Sequence, residues 1–179
     1  MTGIRTIGVI GAGQMGNGIA HVCALAGFDV LLNDVSAERL EAGLKTIQRN
    51  MDRQVHRQMI TKDQRDAAVK RIKAAKSLAD FADVEFAIEA ATEKEAVKRA
   101  IFDELCPKLA KTAMVATNTS SISITRLGTS TDRPERFIGL HFMNPVPLMQ
   151  LVELIRGIAT EEETFLSVQA LVKRLGKTS

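Results

Sequence analysis

Tryptophan and tyrosine are absent from this chain, and phenylalanine occurs only 7 times in 179 residues. Few aromatic platforms are therefore available for stacking nucleobases, and although a net charge of +3 would tolerate a polyanion, a nucleic-acid partner is not expected. The two cysteines, Cys23 and Cys106, lack CxxC spacing and fall in helix-like sequence. Buried reduced thiols are expected there rather than a metal site or a bridge, which fits a reducing compartment. No stretch approaches the 18 apolar residues of a membrane span, and the opening run "IRTIGVIGAG" has no signal-peptide pattern, so the expectation is a cytoplasmic protein without a membrane partner. Internal repeats and low-complexity tracts are also lacking. What is present is ordinary globular composition, 45% apolar and 25% charged. One domain of this length can bury roughly 70% of its unfolded surface.

The order of patterns along the chain is α/β. "TIGVI" reads as a buried strand; a Gly-rich turn follows, then "MGNGIAHVCALAGF" with helical apolar spacing that stops at Gly27. "DVLLND" is a second strand, which completes one βαβ unit by residue 34, and Ser36 is a plausible N-cap for the next helix. Residues 36–76 are unusually helical for a crossover: a long helix, a break near Thr61, and a second helix opened by a Thr61–Gln64 capping box. A projecting helical hairpin is expected. "VEFAIEA" and "TAMVATN" are further strands, separated by a helix expected to be capped at Thr92 with Glu95 in reciprocal position. "RFIGLHF" and "LMQLVELI" add two strand-like runs. Thr160 with Glu163 is read as the cap of a last helix whose apolar stripe is Phe165, Val168, Val172 and Leu175, ended by Gly176. The alternation predicts a Rossmann-type, doubly wound, mostly parallel sheet occupying residues 1–179 as one dinucleotide-binding domain.

"GAGQMG" places Gly11, Gly13 and Gly16 in GxGxxG spacing between a strand and a helix, where backbone amides and the helix N-terminus hold a pyrophosphate; Gln14 and Met15 lie within the same loop. Asp34 ends the next strand, as required of a carboxylate that accepts hydrogen bonds from a ribose 2′-hydroxyl. The plainer alternative is a tight turn, with Asp34 capping the following helix. A carboxylate there repels a 2′-phosphate, and no basic residue follows until Arg39, so NAD is favoured over NADP.

The glycine loop, the helical hairpin, "NTSSISIT" and "GLHFMNPVPLMQLVELI" together resemble the N-terminal half of the 3-hydroxyacyl-CoA dehydrogenase family, over essentially the whole chain. The resemblance implies a 3-hydroxyacyl-CoA or 3-ketoacyl-CoA substrate, with 3-hydroxybutyryl-CoA as the short-chain case. It makes His141 the general base that takes the 3-hydroxyl proton as hydride leaves C3, and Glu153 its acidic partner. The chemistry agrees: alcohol oxidation requires a proton acceptor, imidazole titrates near working pH, and a carboxylate on the other ring nitrogen fixes the tautomer. A separation of twelve residues suits neighbouring strands. By the residues alone, a structural histidine and an edge-strand carboxylate remain open.

The same resemblance makes Ser120 a contact to the reacting substrate oxygen and to the cofactor, and Asn144, Asn118, Glu93 and Lys98 cofactor contacts. The alternatives are an N-cap role for Ser120 or its neighbour Ser121, turn chemistry for Asn144 before Pro145, a helix-dipole carboxylate at Glu93 and a solvated lysine at Lys98. Lys45, Arg49, Arg53 and Arg57 recur at i+4 on the hairpin, a stripe suited to phosphates of coenzyme A, or else a solvated face balanced by Glu38, Glu41 and Asp52. Asn50 and Arg57 stand where the family has a serine and a lysine. The family continues into a C-terminal helical domain that supplies much of a homodimer interface and roofs the acyl pocket. Other readings are a β-hydroxyacid-type dehydrogenase with a lysine base in a following domain, and a non-catalytic NAD-binding or structural module.

Overall fold

The computed structural model describes residues 3–179. Its order is β1 (Thr6–Ile10), α1 (Gln14–Leu25), β2 (Asp29–Asn33), α2 (Ala37–His56), α3 (Lys62–Arg71), β3 (Ile72–Ala75), β4 (Phe86–Glu89), α4 (Glu95–Leu105), β5 (Met114–Thr117), α5 (Ile124–Gly128), β6 (Phe137–Phe142), β7 (Val152–Arg156) and α6 (Glu162–Arg174). The seven strands form one sheet in the order β3-β2-β1-β4-β5-β6-β7. All neighbours are parallel except β6 and β7, which run antiparallel. This is the doubly wound arrangement, with the reversal of winding at β1, where ligands bind beyond the strands' carboxyl ends.

Side chains alternate between two cores because successive strand residues face opposite sides. Ile7, Val9, Val30, Leu32 and Ile88 face α1, α2 and α6; Ala87, Val115 and Phe137 face α4 and α5. The hairpin is not free-standing. Ile47, Met51 and Ala68 are buried in the first core, and the exposed residues run along the outer face of α2 and through the turn into α3. Cys23 and Cys106 are both buried and unpaired. Among the described residues no helix is long and apolar enough to cross a membrane.

Local signals held where nothing competes with them. Ser36 caps α2 through the Arg39 amide, and the Thr61–Gln64 box caps α3. Three expectations are corrected. The helical hairpin ends at Arg71, not near residue 76, because Ile72–Ala75 turns extended and pairs with Val30–Asn33, secured by Asn33 Nδ2 donating to the Ala75 carbonyl. Thr92 and Glu95 form no capping box: the N-cap of α4 is Lys94, and the Glu95 carboxylate is taken by Arg99 and Arg126. Thr160 does not cap α6; its hydroxyl donates to the Phe137 carbonyl and accepts from the Gly157 amide, and Glu161 holds the N-cap position.

His21 of α1 joins the hairpin to the body through Nε2, 2.9 Å from Gln54 Oε1. That oxygen only accepts, so Nε2 bears the ring proton, and Nδ1 is buried without a partner. Burial lowers the His21 pKa from its ordinary value near 6.5, the bond to Gln54 acting in the opposite sense. A folded-state pKa below the unfolded one means that the unfolded chain takes up more protons, so this contribution is complete above about pH 6.5 and is lost on acidification. Urea unfolding from about pH 7 to about pH 5 is expected to show falling stability, with a shallower slope in His21→Leu.

Candidate active site

The glycine loop forms because α1 approaches β1 closely. Gly11 adopts φ +97, and its amide donates to the Asn33 carbonyl. A Cβ on Gly16 would lie 1.7 Å from the Gly11 carbonyl oxygen, and one on Gly11 would lie 2.6 Å from the Ala91 Cα. Gly13 is different: it is the N-cap of α1, offers no side-chain cap and has open space where a Cβ would stand. The first-turn amides of α1 are thus left for an anion. Met15 and Gln14 follow on the first turn, Gln14 Nε2 reaching Asn144 Oδ1 at 3.2 Å.

Asp34 accepts from the Ala12 amide at 2.9 Å and the Ser36 amide at 3.0 Å. These bonds orient the carboxylate, and each oxygen keeps lone-pair capacity for a ribose diol. Beside it a cavity of about 540 Å³ is lined by Val35, Leu78, Ala91 and Ile101, an apolar slot of the kind an adenine ring fills. The donor set and the slot together fit an NAD molecule whose adenosine lies over β2 and whose pyrophosphate crosses the loop at β1. In that arrangement its nicotinamide end would lie toward β4, β5 and β6.

On that side the carboxyl ends of three strands bring the remaining candidates together. Glu93, beyond β4, accepts at Oε1 from the Thr119 hydroxyl (2.5 Å), the Ser120 amide (3.0 Å) and hydroxyl (3.2 Å), and the Ser121 hydroxyl (3.1 Å). Burial raises its pKa, but these bonds and the Lys98 charge outweigh it and leave the carboxyl below the ordinary value. Neither Ser120 nor Ser121 caps α5; Ser123 does so, through the Arg126 amide. Asn118 Oδ1 accepts from the Phe142 amide at 2.9 Å and so ties the end of β5 to β6.

His141 and Glu153 face each other directly in the β6–β7 register, with Nδ1 2.7 Å from Glu153 Oε2. Because a carboxylate only accepts, Nδ1 bears the ring proton in the neutral tautomer, and Nε2, with no partner among the described residues, is the basic nitrogen. The His141 side chain is 21% exposed.

Lys98 is the surprise: it is neither solvated nor open to a ligand cavity. Its side chain is 0% exposed and its Nζ lies 2.6 Å from Glu89 Oε2, itself 0% exposed, with further bonds to Thr117 Oγ1 (3.2 Å) and the Asn118 carbonyl (3.1 Å). Thr117 also donates to Glu89 at 2.6 Å. This network joins α4 to the ends of β4 and β5 beneath the serine loop. Glu89 and Thr117 were not singled out from the sequence; the available signal was one glutamate inside the apolar run "FAIEA".

Of the hairpin candidates, Asn50 lines a cleft of about 440 Å³ with Thr46, Gly43, Arg39, Gly13 and Asn144. Arg53 and Arg57 are exposed outside it, and Lys45 is paired with Glu41 at 2.6 Å. Thr46 and Arg39 are cleft residues that the basic stripe did not indicate. Among the described residues there is no cluster of metal-ligating side chains.

Two outcomes follow from this geometry. Gly13→Ala is expected to leave the melting temperature nearly unchanged and to weaken NADH binding, whereas Gly16→Ala is expected to lower both. Lys98→Met strands the Glu89 carboxylate in the interior and is expected to cost about 3–5 kcal/mol in urea unfolding, with part of the loss recovered in the Glu89→Gln, Lys98→Met double variant.

Residues 6–179 match the family described as 3-hydroxyacyl-CoA dehydrogenase, NAD binding domain. A 3-hydroxybutyryl-CoA dehydrogenase of Bradyrhizobium diazoefficiens is 63% identical over 174 residues, 97% of this chain and 59% of that protein. A probable 3-hydroxybutyryl-CoA dehydrogenase of Bacillus subtilis is 44% identical over 98% of the chain and 61% of its own length. Among solved structures, (S)-3-hydroxybutyryl-CoA dehydrogenase of Ralstonia eutropha superposes with a TM-score of 0.95 at 44% identity, over 97% of this chain and 62% of that one. The chain thus spans about three fifths of the length of the relatives it matches. It belongs to the 3-hydroxyacyl-CoA dehydrogenase family, as the NAD-binding domain, with NAD as its cofactor.

Proposed function

We propose that this chain is the cofactor half of an NAD-dependent L-3-hydroxyacyl-CoA dehydrogenase acting on short acyl chains, 3-hydroxybutyryl-CoA foremost, in either direction. The observation that carries the reading is the His141–Glu153 pair at 2.7 Å, at the nicotinamide end of the cofactor edge. When bound, NAD supplies the hydride acceptor for C3 of the substrate. His141 Nε2 takes the 3-hydroxyl proton, and Glu153 holds the tautomer and stabilises the imidazolium that forms. Ser120 orients the reacting oxygen. In the structure its hydroxyl donates to Glu93; with substrate bound it rotates to donate to the substrate's C3 oxygen in either direction, which leaves the 3-hydroxyl proton directed at His141 Nε2.

The 3-hydroxybutyryl-CoA dehydrogenases of Bradyrhizobium and Ralstonia to which the chain is similar support the substrate class. The cleft between the glycine loop and the hairpin, with Asn50 and Thr46 on its wall, supports a coenzyme A path along α2, Arg53 and Arg57 lying further out for its phosphates. Leu148, Met149 and Leu151 expose an apolar loop next to the site, consistent with a following domain that covers it. An open site neither excludes water nor fixes the thioester, so turnover by residues 1–179 alone is expected to be weak.

The test compares acetoacetyl-CoA-dependent NADH oxidation by this chain and by a fusion to the remaining length of the Bradyrhizobium relative. In the fusion, His141→Gln is expected to lower kcat roughly 10²–10⁴-fold while leaving NADH affinity unchanged. Turnover indifferent to His141 would point instead to a base in the following domain, and no turnover in the active-length fusion to a non-catalytic module.

A further inference from the structure

Lys177 follows the glycine that ends α6. Gly176 adopts φ +72, its amide donates to the Lys173 carbonyl and the Lys177 amide to the Val172 carbonyl, so the chain folds back under the loop between β6 and β7. The Lys177 residue is only 9% exposed. Its Nζ donates to the Val146 carbonyl at 2.7 Å and to the Met149 carbonyl at 2.6 Å. Thr178 adds a second attachment: its amide donates to the Gln150 carbonyl, and its carbonyl accepts from Val152.

A buried ammonium is costly unless its donors are satisfied, and no carboxylate pairs with this one among the described residues. The groups facing it from α1 are Cys23, whose thiol burial pushes up to about 12, and the neutral His21. Burial lowers the lysine's own pKa, with Cys23 acting in the opposite sense. The cation is thus kept inside the fold for two backbone carbonyls of one loop. That loop contains Pro145 and Pro147, which lack amide donors, and it packs by Val146 against Gly18 of α1, where a Cβ would lie 2.9 Å away. It begins at Asn144, which meets Gln14, and it joins the two strands that carry His141 and Glu153.

We infer that Lys177 is a positioning residue for the nicotinamide half of the cofactor site, holding the 145–149 loop from beneath so that Asn144 stays fixed beside the glycine-loop helix. The inference rests on the cofactor reading above, and it makes a split between ligands. The adenosine slot lies across the sheet at β2, out of reach of this loop. Removing the ammonium loosens the loop, and a loop in the binding arrangement about one tenth of the time raises the apparent Kd about tenfold.

The experiment titrates this chain with NADH and with ADP-ribose, which has every part of NADH except the nicotinamide. Lys177→Met is expected to weaken NADH on the order of tenfold and to shift ADP-ribose by less than roughly twofold. Lys177→Arg keeps a cation and donors, and is expected to recover most of the NADH affinity. Equal NADH affinity in wild type and Lys177→Met overturns the inference, as does an equal loss on both ligands, which is what a merely structural lysine gives. Should the Met variant not fold, Lys177→Gln takes its place and the same split decides. A wild-type chain that binds neither ligand overturns the cofactor reading itself, and the role of Lys177 with it.

Discussion

The contact on which the arrangement depends is the approach of α1 to β1 at the Gly11 carbonyl, where Gly16 leaves no room for a Cβ. It sets the helix N-terminus over the reversal point of the sheet, with uncapped amides directed at whatever crosses there. Everything to one side of that crossing, from Asp34 to the apolar slot at Leu78 and Ile101, suits adenosine. Everything to the other side carries reactive or orienting polar groups on strand ends. The fold thereby gives the cofactor a direction before any substrate is considered.

The His141 side is held together by four separate ties rather than one. The buried Glu89–Lys98–Thr117 network locks the ends of β4 and β5. Asn118 carries the lock across to β6 through the Phe142 amide. The antiparallel turn to β7 then brings Glu153 opposite His141, a pairing that a parallel strand at that edge would not give at twelve residues' separation. Glu93 draws Thr119, Ser120 and Ser121 inward on a single oxygen, which fixes the serine loop relative to this frame. Rigid strands and a bonded loop supply the preorganisation that the proposed proton and hydride transfer would require.

Much of this was legible in sequence because the governing interactions are local. "TIGVI" and "DVLLND" carry their strand signal in β-branched and leucine residues, and Thr61 and Gln64 cap each other within one turn. The capping expectations at Thr92 and Thr160 failed where distant groups outcompeted the local partner: Arg126 for Glu95, and the Phe137 carbonyl for Thr160. "IKAA" has one β-branched residue and became a strand only because β2 offered an edge. The burial of Lys98 depends on Glu89 and Thr117, 9 and 19 residues away, and that of Lys177 on carbonyls 28 and 31 residues away, so neither had a short-range signature. The His141–Glu153 pair was readable from spacing together with family resemblance; spacing alone left it open.

The central claim is that the cofactor lies along this edge with its nicotinamide at the His141 side. A crystal structure of the chain with NADH tests it most directly. The expected result places the adenine against Val35 and Leu78, the pyrophosphate on the amides after Gly13, and the nicotinamide ring between Ser120 and Asn144. A cofactor in the reverse orientation, or a nicotinamide ring away from Ser120 and His141, would contradict the account.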